Sequence, residues 1–211
     1  MKRLFESANV FVAMMLLGFS FCFASCSDDD DEPKVSPEVM LGEYYGTMSA
    51  SSVAPESETE EPSGVKVTAK LDGTSVCFDN LPVKDIVLSI VGDEAAADQI
   101  MEALGNVEYK IAYNPVVNAD GNIISLAFNA EPLKMSMTIP SAIEGEEALT
   151  INIEVAIDAK SIGIYTVDDG NLKFELVATK VLVGSGEEMT EMDNFAPTTF
   201  AFDLFQNRIY S

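Results

Sequence analysis

Apolar and polar residues alternate along most of the chain after residue 40, so that every second side chain of a short segment is hydrophobic. This period of two is typical of β-strands that have one face in a core and the other in water. Because the strands of parallel sheets are covered on both faces, a wet face indicates antiparallel pairing. The segments with this alternation are 65–72, 107–113, 124–128, 135–139, 151–158, 172–176 and 200–204, with further strand candidates at 43–49 and 161–167.

The connections between these segments favour tight hairpins. Asp72-Gly73 and the stretches 118–122 and 168–171 are rich in Gly, Asn and Asp, which tolerate the positive φ that short turns require. We therefore expect sequential strands to pair. The pattern predicts a mainly β protein of about ten antiparallel strands, which close into a barrel or, alternatively, split into a β-sandwich.

The long connections are predicted to share one end of the sheet. In a simple up-and-down meander, alternate connections lie together, which groups the acidic 50–64 loop, the segment 81–105 and the acidic 184–197 loop. The other end then holds short turns. This arrangement changes if Glu131-Pro132 is a bulge within one bent strand, because every later connection then moves to the opposite end.

Helical spacing replaces the alternation between Asn80 and Gly105. The apolar residues of the first half that follow this spacing are Val83, Ile86, Val87, Ile90 and Val91. A second run begins at Asp93 and ends at Leu104, with Gly105 as a C-terminal cap. Asn80 and Asp93 are the candidate N-caps. We expect a two-helix insertion near 81–105, packed over one mouth or flank of the sheet.

The first residues predict a secretory signal peptide over 1–25. Lys2 and Arg3 precede an uncharged apolar run at 10–24, and these 15 residues are too few to cross a bilayer core of about 30 Å as a helix. The run ends in Phe23-Ala24-Ser25-Cys26, which resembles a bacterial lipobox. The resemblance implies that Cys26 becomes the first mature residue and carries acyl chains. Two or more such chains hold a protein on a membrane.

An acidic stretch follows directly after Cys26. Ser27, Asp28, Asp29, Asp30 and Asp31 are similar to the surface-export signal of lipoproteins in Bacteroidota, which implies a bacterial outer-membrane protein that faces the cell exterior. The alternative is an ordinary solvated tether. In either case, residues 26–40 are predicted to be an acidic spacer. Residues 41–211 are then a single antiparallel β domain.

Composition excludes several kinds of chemistry. With 12 basic and 35 acidic residues, the formal net charge is −23, which excludes a nucleic-acid partner. The chain has no His, so it lacks the commonest general base and metal ligand, and we expect no catalytic residue, metal or cofactor. Cys77, the one ordinary thiol of the mature chain, is predicted to be buried and inert. The acidic loops are attributed to solubility. The alternatives are a basic partner, or calcium binding by Asn118, Asp120, Asn122 and the turn Asp168-Asp169-Gly170-Asn171.

Large apolar residues are predicted to face inward from the strands. They are Tyr109, Tyr113, Phe128, Met135, Met137, Phe174, Phe200 and Phe202. Small barrels are commonly filled by their own side chains, so a plain core is the first interpretation. The alternative is that all but Phe200 line a cavity for a small apolar ligand, in which Met supplies adaptable walls.

Three segments carry a resemblance to a known family. They are Gly42-Glu43-Tyr44-Tyr45-Gly46, Leu81-Pro82-Val83, and 107–139 with Glu131-Pro132-Leu133 between two alternating strands. Together they resemble envelope lipoproteins of unknown function, of Bacteroidota type, that are described as calycin-like. The resemblance implies a calycin-like barrel over nearly the whole mature domain, and it implies no chemistry.

These observations predict a surface-anchored outer-membrane lipoprotein that acts as a non-enzymatic recognition module. The membrane is its partner through lipidated Cys26, and a protein, a peptide or a small apolar ligand is the second partner. One alternative is a carrier that holds a small hydrophobic molecule inside the barrel. Another is an extracellular carboxylate glycan hydrolase, which has less support because Trp, the flattest sugar platform, is absent.

Overall fold

A computed structural model describes residues 35–52, 64–139, 148–186, 188–193 and 195–208. The predicted signal peptide, Cys26 and the acidic stretch Ser27–Asp31 lie outside the described residues. A short 3-10 helix, Pro37–Met40, comes first, and two α-helices, α1 (Lys84–Val91) and α2 (Glu94–Leu104), lie between the third and fourth strands. The strands are β1 (Gly42–Ser52), β2 (Val65–Leu71), β3 (Ser75–Phe78), β4 (Tyr109–Val117), β5 (Ile123–Asn129), β6 (Leu133–Ile139), β7 (Leu149–Ala159), β8 (Gly163–Thr166), β9 (Asn171–Ser185), β10 (Glu188–Glu191) and β11 (Thr198–Gln206).

Eight of the strands form a closed antiparallel barrel. They pair in the order β1-β2-β3-β4-β5-β8-β9-β11, and β11 pairs back with β1. This closed ring of eight strands confirms the predicted antiparallel barrel and excludes the alternative, a β-sandwich. The other three strands extend the sheet from the second half of β9, where β7 pairs along one edge and β10 along the other, and β6 pairs with β7.

At two connections where the meander predicts that the chain reverses, between β5 and β6 and between β7 and β8, the chain continues in the same direction. β7 and β8 follow one another along the same edge of β9 and run in the same direction. β5 is antiparallel to β8 and β6 is antiparallel to β7, so β5 and β6 also share one direction. Glu131-Pro132 therefore lies within one bent strand, because Pro removes a backbone donor without forcing the chain to turn back.

The two breaks decide which connections share an end. What we call the helix-bearing end holds the connections β1–β2, β3–β4, β6–β7 and β9–β10. The opposite end, called the turn end, holds the short hairpin connections at 72–74, 118–122 and 167–170. The acidic connection between β6 and β7 thus leaves from the helix-bearing end, which the simple meander does not predict. The predicted 184–197 loop contains β10 rather than being wholly irregular.

The helices follow the predicted pattern, with one exception at a cap. The Asp93 side chain accepts a hydrogen bond from the Ala96 amide at 2.8 Å, so it caps α2 as predicted. Asn80 does not cap α1; its Oδ1 instead accepts from the Val107 amide at 3.4 Å, tying together the two ends of the insertion. Gly105 ends α2 with a positive φ of 64°, a conformation that favours glycine.

Within the described ranges, neither helix is long and apolar enough to cross a membrane. α1 buries Ile86 and Val87, and α2 buries Ala97 and packs against β6. The insertion therefore covers both the helix-bearing end of the barrel and the extension of its sheet.

The folded domain begins before the predicted boundary at residue 41. Ser36 caps the 3-10 helix by accepting from the Glu38 amide at 3.3 Å, and Pro37 occupies the first helical position. Met40 is 1% exposed. The last residues of the predicted 26–40 spacer therefore pack against the barrel, with Met40 as the buried side chain of the helical turn.

Candidate functional site

Four phenylalanine rings cross the barrel interior in contact with one another. The ring centroids of Phe128 and Phe174 are 4.9 Å apart, those of Phe174 and Phe202 are 4.5 Å apart, and those of Phe202 and Phe78 are 5.3 Å apart. We call these four residues the aromatic stack. Because they come from β3, β5, β9 and β11, the stack joins opposite walls of the barrel. Small barrels are commonly filled by their own side chains in this way.

The seven predicted cavity residues separate into two groups. Tyr109 and Tyr113 on β4, Phe128 on β5, Phe174 on β9 and Phe202 on β11 belong to strands of the barrel. Met135 and Met137 are buried on β6, which lies outside the eight-stranded ring and packs against α2. The two methionines therefore belong to the same apolar core as the aromatic residues, but they join it from a strand outside the ring.

Little space remains between the aromatic stack and α1. A cavity of about 10 Å³ is lined by residues that include Met48, Leu81, Ile86, Tyr109 and Phe202. Pockets for small molecules enclose about 300–1,000 Å³, so this cavity is far too small for one. The Tyr109 hydroxyl donates to the carbonyl oxygen of Glu131 at 2.7 Å, which fixes the break between β5 and β6. Burial raises the pKa of Tyr109 above its usual value, so the group stays neutral.

The 3-10 helix closes the turn end of the barrel, and we call it the plug. The Tyr44 hydroxyl donates to the Met40 carbonyl oxygen at 2.6 Å. Gln206 Nε2 donates to the carbonyl oxygens of Val39 and Leu41 at 3.0 and 2.8 Å. Side chains of β1 and β11 thus hold three consecutive backbone carbonyls, two at the end of the plug and one at Leu41 directly after it. Burial, with Tyr165 nearby, raises the pKa of Tyr44, which therefore remains a hydrogen-bond donor.

The end of the described chain completes this closure. The Tyr165 hydroxyl donates to Gln206 Oε1 at 2.7 Å. Arg208 donates to the same Gln206 oxygen at 3.2 Å, to the Asp168 carbonyl at 3.0 Å and to the Val167 carbonyl. One guanidinium therefore ties the β8–β9 turn to the last strand. No local sequence signal points to this arrangement, because its members are distant along the chain.

A cleft of about 310 Å³ opens on the outer wall of β1, β2 and β3. We call it the wall cleft. The side chains of interest around it are Glu43, Tyr45, Thr68, Lys70, Cys77, Asp79 and Asn207. Sheet register brings them together, since Glu43 lies opposite Lys70, Tyr45 lies opposite Thr68, and Lys70 lies opposite Cys77. Tyr45 is 56% exposed, and Phe205, its neighbour on β11, is 42% exposed.

The charged groups of the wall cleft have no partners among the described residues. Neither a hydrogen bond nor an ion pair within the described ranges engages the side chains of Glu43, Lys70 or Asp79. By contrast, most lysines of the described chain are paired with an acid. Those lysines are Lys84, Lys110, Lys134, Lys160, Lys173 and Lys180. The wall cleft therefore concentrates uncommitted donors and acceptors.

Cys77 lies at the edge of the wall cleft and is half-buried, not fully buried as predicted, because it points outward from β3. Its Sγ donates to Asp72 Oδ2 at 3.7 Å. Burial and the Asp72 carboxylate raise the pKa of the thiol, which disfavours the reactive thiolate. The reason to expect an unreactive thiol at Cys77 is therefore its raised pKa rather than complete burial.

A second depression, the outer groove, lies across β1, β11, β9 and β8. It encloses about 580 Å³, and its lining includes Ile162 and Ile164. Its charged groups are already paired within the wall: Lys173 contacts Asp203 at 3.1 Å, and Lys160 contacts Glu175 at 3.2 Å. The outer groove therefore offers hydroxyl groups but no unpaired charged group among the described residues.

Two of the predicted calcium ligands, Asn118 and Asn122, serve the hairpin between β4 and β5. Asn118 Oδ1 accepts from the amides of Asn122 and Ile123 at 3.1 and 3.0 Å. Asn118 Nδ2 donates to Asn122 Oδ1 at 2.8 Å. Within the described ranges, no group of three or more Asp, Glu, Cys or His side chains is arranged to hold a metal ion.

These features define a closed antiparallel β-barrel protein with a packed interior, a plugged turn end and a polar cleft on its wall. A family model described as a domain of unknown function, DUF4840, matches residues 39–183. Because the match covers more than half of the chain, the protein belongs to this family. The matched residues run from β1 to most of β9. Neither the curated proteins nor the solved structures contain a match.

Proposed function

We propose that this protein is a lipoprotein held by Cys26 on the outer face of a bacterial outer membrane, and that its calycin-like barrel is a non-enzymatic recognition module. The observation that carries the recognition role is the filled interior. With the aromatic stack joining opposite walls and about 10 Å³ left beside it, binding is assigned to the outer surface of the barrel. A carrier of a hydrophobic molecule has less support for the same reason.

The position of the plug supports an orientation for the module. The described chain enters the barrel at the turn end, through Ser36 and the 3-10 helix. Acyl chains on Cys26 hold a protein on a membrane because each buried methylene contributes about 0.8 kcal/mol. A short spacer then joins the anchor to the turn end. This leaves the helix-bearing end, with α1 and α2, for contact with a protein or peptide partner.

The anchor is tested by lipid labelling and fractionation. Cys26→Ala is expected to abolish incorporation of radiolabelled palmitate and to release the protein into the soluble fraction. Cys22→Ala, which changes a neighbouring cysteine within the predicted signal peptide, is the matched control and is expected to leave both unchanged. Palmitate labelling of the Cys26→Ala protein would contradict the proposal.

Surface exposure is tested on intact cells with a membrane-impermeant maleimide. Glu102 is an exposed residue of α2, so Glu102→Cys in a Cys77→Ser background reports on the helix-bearing end. We expect this cysteine to be labelled without cell lysis. Replacing Asp28–Asp31 by Asn is expected to abolish the labelling while the protein remains lipidated and folded. Equal labelling of both proteins would refute the export role of the acidic stretch.

A further inference from the structure

We propose that the wall cleft binds one uncharged sugar residue of a glycan. This site lies on the side of the barrel, not at the helix-bearing end, so the proposal goes beyond the recognition role described above. It also holds independently of lipid anchoring. The argument rests on the shape of the cleft, on its exposed aromatic ring and on the balance of its polar groups.

The sheet register builds one apolar platform beside the polar groups. Tyr45 and Phe205 lie on neighbouring strands, and both are substantially exposed. An aromatic ring left in water at this position is ready to pack against an apolar surface. The C–H face of a pyranose ring is such a surface, and its area matches that of one tyrosine ring. On the other side of Tyr45, the shorter Thr68 leaves the depression open.

The rim of the wall cleft supplies both donors and acceptors of hydrogen bonds. Lys70, Thr68 and the Asn207 amide nitrogen donate, whereas Glu43, Asp79 and the Asn207 amide oxygen accept. A sugar hydroxyl both donates and accepts, so neighbouring hydroxyls of one ring satisfy this mixture. Hydrogen bonds to charged groups are stronger than those between neutral groups. Since none of the three charged side chains has a partner among the described residues, binding breaks no existing pair.

The charges of the cleft select against other ligand classes. Glu43 and Asp79 outnumber Lys70, and the whole chain carries a formal charge of −23, so a phosphate or uronate is repelled. An apolar ligand would remove water from three charged groups without replacing their hydrogen bonds, which is costly. A neutral, hydroxyl-rich molecule avoids both the repulsion of an anion and the desolvation cost of an apolar ligand.

The size of the cleft sets the extent of the ligand. Its volume of about 310 Å³ is at the lower end of small-molecule pockets. This space holds one sugar ring, and a longer chain would extend beyond it over the wall. The outer groove is larger, but its charged groups are already paired within the wall, so its uncommitted polar side chains are the hydroxyls of Thr47, Ser49 and Ser161.

The test uses the full chain carrying Cys26→Ala, so that acyl chains do not complicate the measurement. Methyl glycosides of glucose, galactose, mannose and N-acetylglucosamine are titrated while the backbone amide resonances are followed by NMR. We expect saturable shifts of the Tyr45, Thr68 and Lys70 amides with at least one of these glycosides. Inorganic phosphate and glucuronate are expected to produce none at the same residues.

Variants distinguish stacking from hydrogen bonding. Tyr45→Ala is expected to weaken binding by at least about tenfold, whereas Tyr45→Phe keeps the ring and stays within about threefold. Glu43→Gln is expected to weaken binding without affecting folding, because Glu43 is exposed. Ile164→Ala, in the outer groove, is the matched control and leaves the affinity unchanged. Absence of saturable shifts with all four glycosides, or unchanged affinity of Tyr45→Ala, would overturn the proposal.

Discussion

The Tyr44 hydroxyl donates a hydrogen bond of 2.6 Å to the carbonyl oxygen of Met40, and this contact joins the first strand of the barrel to the plug. Both residues are 1% exposed. A buried carbonyl that loses its donor keeps its desolvation penalty, so the contact matters more than a surface hydrogen bond. It links the point where the spacer enters the domain to the packed interior.

Replacing Tyr44 by Phe is expected to lower the free energy of unfolding by about 1–3 kcal/mol, because it leaves the Met40 carbonyl without this donor. Tyr45→Phe is the matched control. Tyr45 is the next residue and is 56% exposed, so its change is expected to fall within about 0.5 kcal/mol. Urea denaturation of both variants measures the difference. Equal stabilities would show that the plug contributes little to the fold.

Gly163 gives the Phe128 ring its place at the edge of the aromatic stack. A Cβ at this position would lie 2.6 Å from Phe128 Cε2, which is a steric overlap. Gly163→Ala is therefore expected to destabilise the protein by about 1–3 kcal/mol. Adding Phe128→Leu removes the overlapping ring edge, so the double variant should lose less stability than the sum of the single ones. Strict additivity in denaturation experiments would contradict this contact.

Much of the barrel was predictable because its strands bury only one face. The alternation of Val65, Val67, Ala69 and Leu71 with polar residues marks such a strand directly. β10 (Glu188–Glu191) was missed because it pairs at an edge and buries no side chain fully, so its composition resembles that of a loop. Glu131-Pro132 was ambiguous because Pro occurs both in turns and in bent strands.

The wall cleft and the plug could not be predicted from local patterns. Glu43, Lys70 and Cys77 meet only because three strands pair in one particular register, and a shift of one residue would turn them to the other face. Arg208 reaches the Asp168 carbonyl across 40 positions of sequence. Such sites depend on which strands pair and in what register, and neither the period of the hydrophobic pattern nor the composition specifies this.

The Asp72 carboxylate is expected to make stability depend on pH. Its Oδ1 accepts from the Thr74 amide and hydroxyl at 3.0 and 2.9 Å, and Lys110 contacts its Oδ2 at 3.1 Å. These contacts favour the charged form and hold the pKa of Asp72 well below its usual value. A lowered pKa in the folded state gives stability that is fully present above the unfolded pKa, near 3.9, and is lost as the pH falls through the folded value.

Asp72→Asn is therefore expected to lower the free energy of unfolding at pH 7, and to lower it much less at pH 2. The difference in unfolding free energy between the two proteins is expected to shrink steadily as the pH falls below about 4. Urea denaturation at a series of pH values measures it. Asp120→Asn in the neighbouring hairpin is the control, since within the described residues its carboxylate makes no hydrogen bond or ion pair. A difference that does not vary with pH would refute the role given to Asp72.

Phe174 lies at the centre of the aromatic stack, where its ring is stacked on Phe202 at an interplanar angle of 8° and also contacts Phe128. Removing this ring should open an apolar cavity in an interior that is otherwise packed. Phe174→Ala is expected to lower the free energy of unfolding by about 3–5 kcal/mol. A dry apolar cavity of this kind binds small hydrocarbons, so benzene should raise the melting temperature of the variant.

The wild-type protein is expected to show no such response, because the cavity that the described residues leave beside the aromatic stack, about 10 Å³, is too small for benzene. Phe205→Ala, which removes an exposed ring from the same strand as Phe202, is the matched control and should change neither stability nor benzene response appreciably. Thermal denaturation with and without benzene measures all three proteins. Stabilisation of the wild-type protein by benzene would indicate that the interior opens, and it would restore the carrier as the better account of this barrel.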